Sequence, residues 1–320
     1  GHIEKVIVSP ENGFIKSLLL KDGREIEGDL FLDCTGFRAM LIDGALNTPW
    51  VPYGHYLPCD SAIALQTELV RAPRPYTQSI AHDFGWQWRI PLQHRAGNGM
   101  VYSSRHVSDD EAMSTLLKNL EGRPVTEPRV IKYKTGRRMK AWNKNCIAVG
   151  LTASFIEPLE STSIHLAMSA IYRLMRYFPQ NEIVMSNVDE FNKQSAEEID
   201  RARNFVILHY HATQRDDTEF WRYCKNMEIP EALARRVNLF KDTAAIALEE
   251  KELFLNDSWV QVMMGQGIAP SAYHPIVDVM DEKELKNFLG YLKTSVSEKV
   301  SAMPSHQDLI NQYCKAVAPV

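Results

Sequence analysis

The 320 residues contain no run approaching the roughly 20 consecutive apolar positions that a membrane-crossing helix needs, so no membrane span is expected. No charge of either sign dominates. With 36 Lys and Arg against 40 Asp and Glu, the net charge of −4 gives no general pull on nucleic acid or an anionic lipid surface. The opening GHIEKV has no signal-peptide pattern. Disulfide chemistry is also absent. Cys34, Cys59, Cys146, Cys224 and Cys314 are odd in number and widely spaced, and no pair has zinc-ligand spacing. That usage suits free thiols in a reducing cytosol, so a cytoplasmic location is expected. No GxGxxG follows a strand, which excludes the dinucleotide-binding fingerprint from these residues. Internal repeats and low-complexity segments are missing too.

What is there is an ordinary globular composition, 45% hydrophobic and 24% charged, long enough for one large domain or two modest ones. Strand-like segments come first. Val6–Ser9 and Phe14–Leu20 flank the turn signal Asn12-Gly13, and Gly28–Cys34 follows, with LFLDC apolar on both faces as in a sheet interior. Ser61–Leu69 alternates. Gly85–Pro91 and Gly99–Ser104 predict a long hairpin, and Val130–Thr135 and Cys146–Val149 complete the strands. Asp109–Leu120 reads as an amphipathic helix with Met113, Leu116, Leu117 and Leu120 facing in. After Leu159 the chain turns helical: Thr162–Tyr177, Val188–Tyr210, Thr218–Lys225, Pro230–Glu250, Trp259–Gly265, Asp281–Ala302 and Gln307–Ala316. The fold class is α+β, or mixed α/β, with a sheet domain over 1–160 and a helical domain over 161–320 that is not independent of it.

One stretch organises the rest, AVGLTASFIEPLESTSIHLAMSAIYRLMRYFP from Ala148 to Pro179. A buried strand breaks at Gly150, crosses a loop bearing Glu157 and Glu160, and enters a helix with Ser161 and Thr162 at the N-cap position. Ile164, Ala167, Met168, Ile171, Leu174, Met175 and Phe178 recur at three- and four-residue steps, predicting one buried face. A glycine turn before a helix start gathers free N–H groups at the positive end of the dipole, a natural anion site.

Three motifs carry chemistry, one of them inside that stretch. GWQWRIP from Gly85 to Pro91 is a GWxWxIP string with Trp86, Trp88, Ile90 and Pro91. FIEPLESTSIHL runs from Phe155 to Leu166. HYHATQRDDTEFW runs from His209 to Trp221 and is followed by SWVQVMMGQGIAPSAYHP from Ser258. Together with LDCTGFRAMLI near the start, these resemble the flavin-dependent tryptophan halogenase family, in order and over essentially the whole chain.

The resemblance implies a flavin-monooxygenase-like FAD domain with mixed and antiparallel sheets, joined to a mainly helical substrate domain. The implied cofactor is FAD, with FADH2 supplied by a separate flavin reductase as a transient partner. The implied reaction takes dioxygen and chloride or bromide, through hypohalous acid, to a small aromatic substrate of the tryptophan or indole type. A homodimer is a further expectation, and no nucleic acid or membrane partner is implied. By motif position, Glu160 is the catalytic glutamate, and Thr162 and Ser163 hold halide. Leu151, Ile164, Thr35 and Gly36 line the cofactor, while His209, Tyr210, Asp216 and Trp221 face the substrate. Ser163 departs from the glycine usual after the threonine, but a backbone N–H survives the change. His209 and Asp216 replace an aromatic and a glutamate, which weakens the case for a free amino acid and makes an indole or another aromatic an equal candidate.

The resemblance also places a cofactor fingerprint and a catalytic lysine ahead of residue 1. The chain is therefore expected to be a fragment that neither binds FAD tightly nor halogenates alone, and Lys132, Lys134 and Lys140 match no family position. Two alternatives remain: an aromatic-hydroxylating flavin monooxygenase, and a non-catalytic interaction fragment. A metal at His209 and His211 is not expected, because residues two apart on a helix diverge. Asp216 and Asp217 read as a solvated helix start, and His165 as a packed core side chain.

Overall fold

The computed structural model describes residues 1–317. The chain opens with β1 (Ile3–Val8), β2 (Ile15–Leu20) and β3 (Glu25–Glu27), an antiparallel meander in which Val6 faces Leu18 and Leu18 faces Ile26. The first turn uses Gly13 at φ 69°, a conformation that favours glycine, and Asn12 Oδ1 accepts the Phe14 N–H at 2.9 Å. β4 (Phe31–Asp33) and β5 (Trp50–Pro52) are short, and β6 (Ser61–Thr67) begins the largest sheet. β7 (Gln78–His82), β8 (Gly85–Pro91) and β9 (Ala96–Tyr102) lead into helix α1 (Asp109–Lys118). β10 (Arg129–Lys132), β11 (Gly136–Arg138), β12 (Trp142–Asn143), β13 (Cys146–Ala148) and β14 (Ser154–Phe155) close the strand-rich half.

Four sheets result. The large one is antiparallel, ordered β10-β6-β9-β8-β7, and the small ones are β1-β2-β3, β14-β11-β5 and β12-β13-β4. In the last, β13 runs parallel to β4, with Ile147 opposite Leu32. Phe31 and Asp33 of β4 are buried on one face, while Leu32 on the other lies open at 42% exposure, because nothing among the described residues covers that face. The expectation that LFLDC is buried on both faces is corrected for that reason.

Helices α2 (Ser163–Arg176), α3 (Met185–His211), α4 (Glu219–Asn226), α5 (Glu231–Thr243), α6 (Asn256–Gly265), α7 (Glu282–Ala302) and α8 (His306–Tyr313) follow. α3 is the spine. Val188, Phe191, Ser195, Ile199, Ala202 and Phe205 bury one stripe at three- and four-residue steps, and Val206 to Leu208 and Tyr210 are buried as well. The largest core joins both halves of the chain. Tyr53, Trp86, Val101 and Ile156 pack with Phe205, Tyr210, Phe220, Phe240 and Trp259.

Other expectations need correction. α5 stops at Thr243, not Glu250, because Ala244 takes a left-handed backbone at φ 61° and caps it. Arg236 then holds the returning loop through the Ala247 carbonyl and Glu252. On α1, Ala112 and Leu116 are buried, whereas Leu117 is exposed. The apolar stripe of α2 exists but is not buried. Ile164, Met168, Tyr172, Met175 and Phe178 are exposed, and the helix docks through its edge, Ala170 and Leu174, onto Trp142, Ile147, Val188 and Phe191. No helix among the described residues is long and apolar enough to cross a membrane.

Candidate active site

The site begins where the parallel pair β4 and β13 ends, the edge at which parallel strands present ligands. Asp33, buried at the end of β4, shapes the first turn. Its carboxylate accepts the N–H groups of Thr35, Leu41 and Ile42 at 3.0, 2.9 and 2.8 Å. The Asp33 carbonyl accepts the Val149 N–H at 3.0 Å and the Thr152 hydroxyl at 2.6 Å, which brings the second turn alongside. Gly36 and Gly150 both have φ 70°, and nothing lies within 4 Å of where a Cβ would project from either. Next to the second turn lies an open apolar basin of about 560 Å³ lined by Val149, Gly150, Leu151, Ser163, Ile164, Ala167, Met168 and Ile171. It unites Leu151, Ser163 and Ile164. Thr35 and Gly36 sit on the neighbouring turn, outside its lining. An apolar floor reached by an unobstructed glycine turn fits one face of a flat ring, and no cation among these residues offers a phosphate contact.

The basin ends at the start of α2. Ser161 takes a left-handed backbone at φ 53°, and Thr162 is the N-cap with φ −75° and ψ −17°. A helical backbone there turns the hydroxyl away from the first-turn amides, so the expected side-chain cap does not form. Thr162 is buried, and its Oγ1 has no hydrogen-bond partner among the described residues. The N-terminal amides of α2 are left for an anion.

The two loop carboxylates part company. Glu157 is fully buried. Its Oε2 accepts the Tyr210 hydroxyl at 2.7 Å and the Trp86 indole N–H at 3.4 Å, while Oε1 has no partner among the described residues. Burial raises its pKa to about 7, against the lowering effect of the bonds from Tyr210, Trp86 and Cys59. Burial also holds Tyr210, Tyr133 and Cys59 in their neutral forms, with Glu157 adding to the effect. Glu160 lies 2.8 Å from Nε2 of His209, and Nδ1 of that ring donates to the Phe205 carbonyl at 2.9 Å. Sequence reasoning gave Glu157 no role. Its flanks are the signal: a carboxylate inside Phe-Ile-Glu-Pro-Leu is buried when its neighbours are, and must then find donors.

The GWxWxIP string is strand β8. Trp86 and Trp88 lie on one face with centroids 6.2 Å apart. Trp88 covers Gly99, where a Cβ would meet its ring at 2.0 Å, so the glycine in β9 is there for close approach. Ile90 and Pro91 finish the strand opposite Gly97 and Ala96.

Of the residues expected to face a substrate, Tyr210 and Trp221 stack on each other at 6.0 Å and 28°. The Trp221 N–H is bound to the His82 carbonyl at 2.8 Å, and Arg215 lies over its ring at 5.2 Å. His209 turns to Glu160. Asp216 is not brought to this group. Its side chain is 74% exposed, near Lys225, as a solvated helix start predicts. Asp217 is exposed too and pairs with Arg215. His165 is half exposed and lies 3.4 Å from Glu198, so it is not the packed core histidine expected. It stands at the rim of the α2–α3 contact, facing Glu198 of α3. No cluster of three or more metal-ligating side chains occurs among the described residues.

The sequence model of the family described as tryptophan halogenase matches residues 1–282. A flavin-dependent halogenase from Xanthomonas campestris superposes with a TM-score of 0.98 at 48% identity, covering 100% of this chain and 65% of that one. One from Brevundimonas sp. BAL3 gives a TM-score of 0.94 at 44% identity, over 97% and 63%. The tryptophan 6-halogenase ThaL of Streptomyces albogriseolus is 32% identical over 326 residues, 96% of this chain and 61% of that protein. The chain thus spans about three fifths of the length of the curated relatives it matches.

Proposed function

Because the chain belongs to the tryptophan halogenase family, we propose that it serves flavin-dependent halogenation of an electron-rich aromatic of the indole type, with chloride or bromide as co-substrate. When bound in its reduced form, FAD supplies, with dioxygen, the oxidising power that makes halide electrophilic, and a separate flavin reductase would renew it. This chain's own residues have narrower tasks. Val149, Leu151, Ile164, Ala167 and Ile171 would hold one face of the ring system, with the Gly150 turn leaving room and Thr35 and Gly36 flanking it. The backbone amides of Ser163 and Ile164, with the buried Thr162 hydroxyl, would hold the halide at the positive end of α2. Glu160, partly exposed beside that helix start, would accept the proton released as the aromatic ring is substituted. Tyr210 and Trp221, stacked and buried, would back the substrate side as core and not touch it directly, and the exposure of Asp216 supports an indole over a zwitterionic amino acid. Trp86, Trp88, Ile90 and Pro91 act as scaffold. The five free cysteines support a reducing, cytoplasmic setting.

The observation that carries this reading is the free start of α2, with its unpartnered buried Thr162 hydroxyl, opening beside the apolar basin and two residues from Glu160. The test supplies the complete natural protein with reduced FAD, dioxygen, bromide and indole, and reads the products by mass spectrometry. Brominated indole is expected, falling roughly a hundredfold or more in Glu160→Gln. Hydroxylated products alone would reject the proposal.

A further inference from the structure

Resting on the halogenase reading of this loop, we infer that His209 is a positioning residue for Glu160 and that the two side chains hold one proton between them. The ring nitrogens fix the count. Nδ1 of His209 lies 2.9 Å from the Phe205 carbonyl, which can only accept, so Nδ1 carries a hydrogen. Nε2 lies 2.8 Å from a Glu160 carboxyl oxygen. A neutral imidazole protonated at Nδ1 has a bare Nε2, and an ionised carboxylate has no hydrogen to give. Two bare acceptors at that separation would repel, so the pair shares one further proton as an ion-pair contact. Only imidazolium with carboxylate leaves Glu160 able to accept the proton released by substitution.

The surroundings leave this pair to itself. Among the described residues no other side chain of opposite charge lies within 4.0 Å ion-pair distance of either group. The titratable groups of the adjoining elements are engaged elsewhere. Glu157 bonds Tyr210 and Trp86, Cys59 contacts the Tyr210 hydroxyl, and His165 of α2 faces Glu198. The edge of the His209 ring packs on Phe205 at 5.0 Å, which is itself stacked on Phe254. That packing fixes the imidazole on the rigid spine α3.

Glu160 has no such support of its own. It ends the single turn Pro158–Glu160 and precedes the left-handed Ser161. Consecutive residues of α3 therefore hold the two carboxylates of the loop, Tyr210 taking Glu157 and His209 taking Glu160. Only the second pair keeps a route outward, with Glu160 29% and His209 17% exposed at the side chain. A histidine in a position expected to be aromatic thus faces the glutamate instead of the substrate.

The test compares His209→Phe, which keeps the aromatic packing on Phe205, with His209→Gln, which keeps a donor for Glu160, both in the complete protein. His209→Phe is expected to lower kcat about ten- to hundredfold, the usual worth of a hydrogen bond to a charged group, with KM within about twofold. It should also displace the pH–rate profile, and His209→Gln should restore part of kcat. Wild-type kcat and profile in His209→Phe, with Glu160→Gln inactive, would overturn the dyad and leave the halogenase reading standing. If the wild type forms no halogenated product, that reading falls instead, and histidine ¹⁵N NMR decides the dyad. The wild type is expected to show no bare, pyridine-type Nε2 at His209, and Glu160→Leu to gain one. A bare Nε2 in the wild type overturns the inference.

Discussion

Glu157 and Glu160 stand three residues apart in one loop and bind neighbouring residues of one helix, yet they occupy opposite environments. Glu157 is sealed in the largest core, between the GWxWxIP strand and α3, with two donors on one oxygen and none on the other. Glu160 keeps part of its surface open and has one partner, a histidine. Residue type and spacing are the same chemistry written twice. What separates them is which side of the Pro158–Glu160 turn each one occupies. A buried carboxylate holds strand and helix in register. A half-open one at a helix start can meet a substrate.

The comparison breaks most severely if the seal on Glu157 is opened. Trp86 is 4% exposed and supplies one of the two donors. Trp86→Ala is expected to cost about 3–5 kcal/mol of folding stability, the range for deleting a buried aromatic. The denaturation midpoint of the complete protein reads this directly. A loss below about 1 kcal/mol would mean that the strand does not depend on this contact.

The next largest effect is pH dependence. Burial raises Glu157 from 4.5 to about 7, so between those values the folded chain binds more protons than the unfolded one. Its contribution to stability is complete below 4.5 and is lost as pH rises through about 7. The shift corresponds to roughly 3 kcal/mol. Glu157→Gln keeps the shape and accepts from Tyr210, but it does not titrate. Stability of the wild type relative to this variant should therefore fall by that amount between the two limits, and a difference flat in pH would sink the assignment.

Much of this arrangement was legible in the residues and some was not. The periodicity of α3 and the hairpin of β8 and β9 follow from local pattern, and so does the position of the helix start at Thr162, although the side-chain cap that marked it does not form. α2 shows where that logic stops. Its apolar stripe is as regular as a buried one, but periodicity reports a face and not what covers it. The strands β5, β11 and β14 carry no signal of their own, since each exists only through partners distant in sequence. The motifs located Glu160, Thr162 and Ser163, and the same string contained Glu157 in plain view. Its function as a buried anchor depends on Trp86 and Tyr210, which lie 71 and 53 residues away, and no spacing rule connects them.

The smallest expected effect sharpens the comparison furthest. Glu160→Gln should alter folding stability by less than about 1 kcal/mol, because a partly exposed ion pair contributes little beyond what water replaces. Gln keeps the volume, and its amide can still reach Nε2 of His209. The same substitution is the one expected to suppress halogenation. A stability change near zero with activity lost assigns Glu160 to chemistry. A loss of several kcal/mol would instead make it a second anchor like Glu157, and the division of labour between the two carboxylates would not exist. Thermal and denaturant midpoints of wild type and Glu160→Gln, measured beside Glu157→Gln under one set of conditions, separate these outcomes.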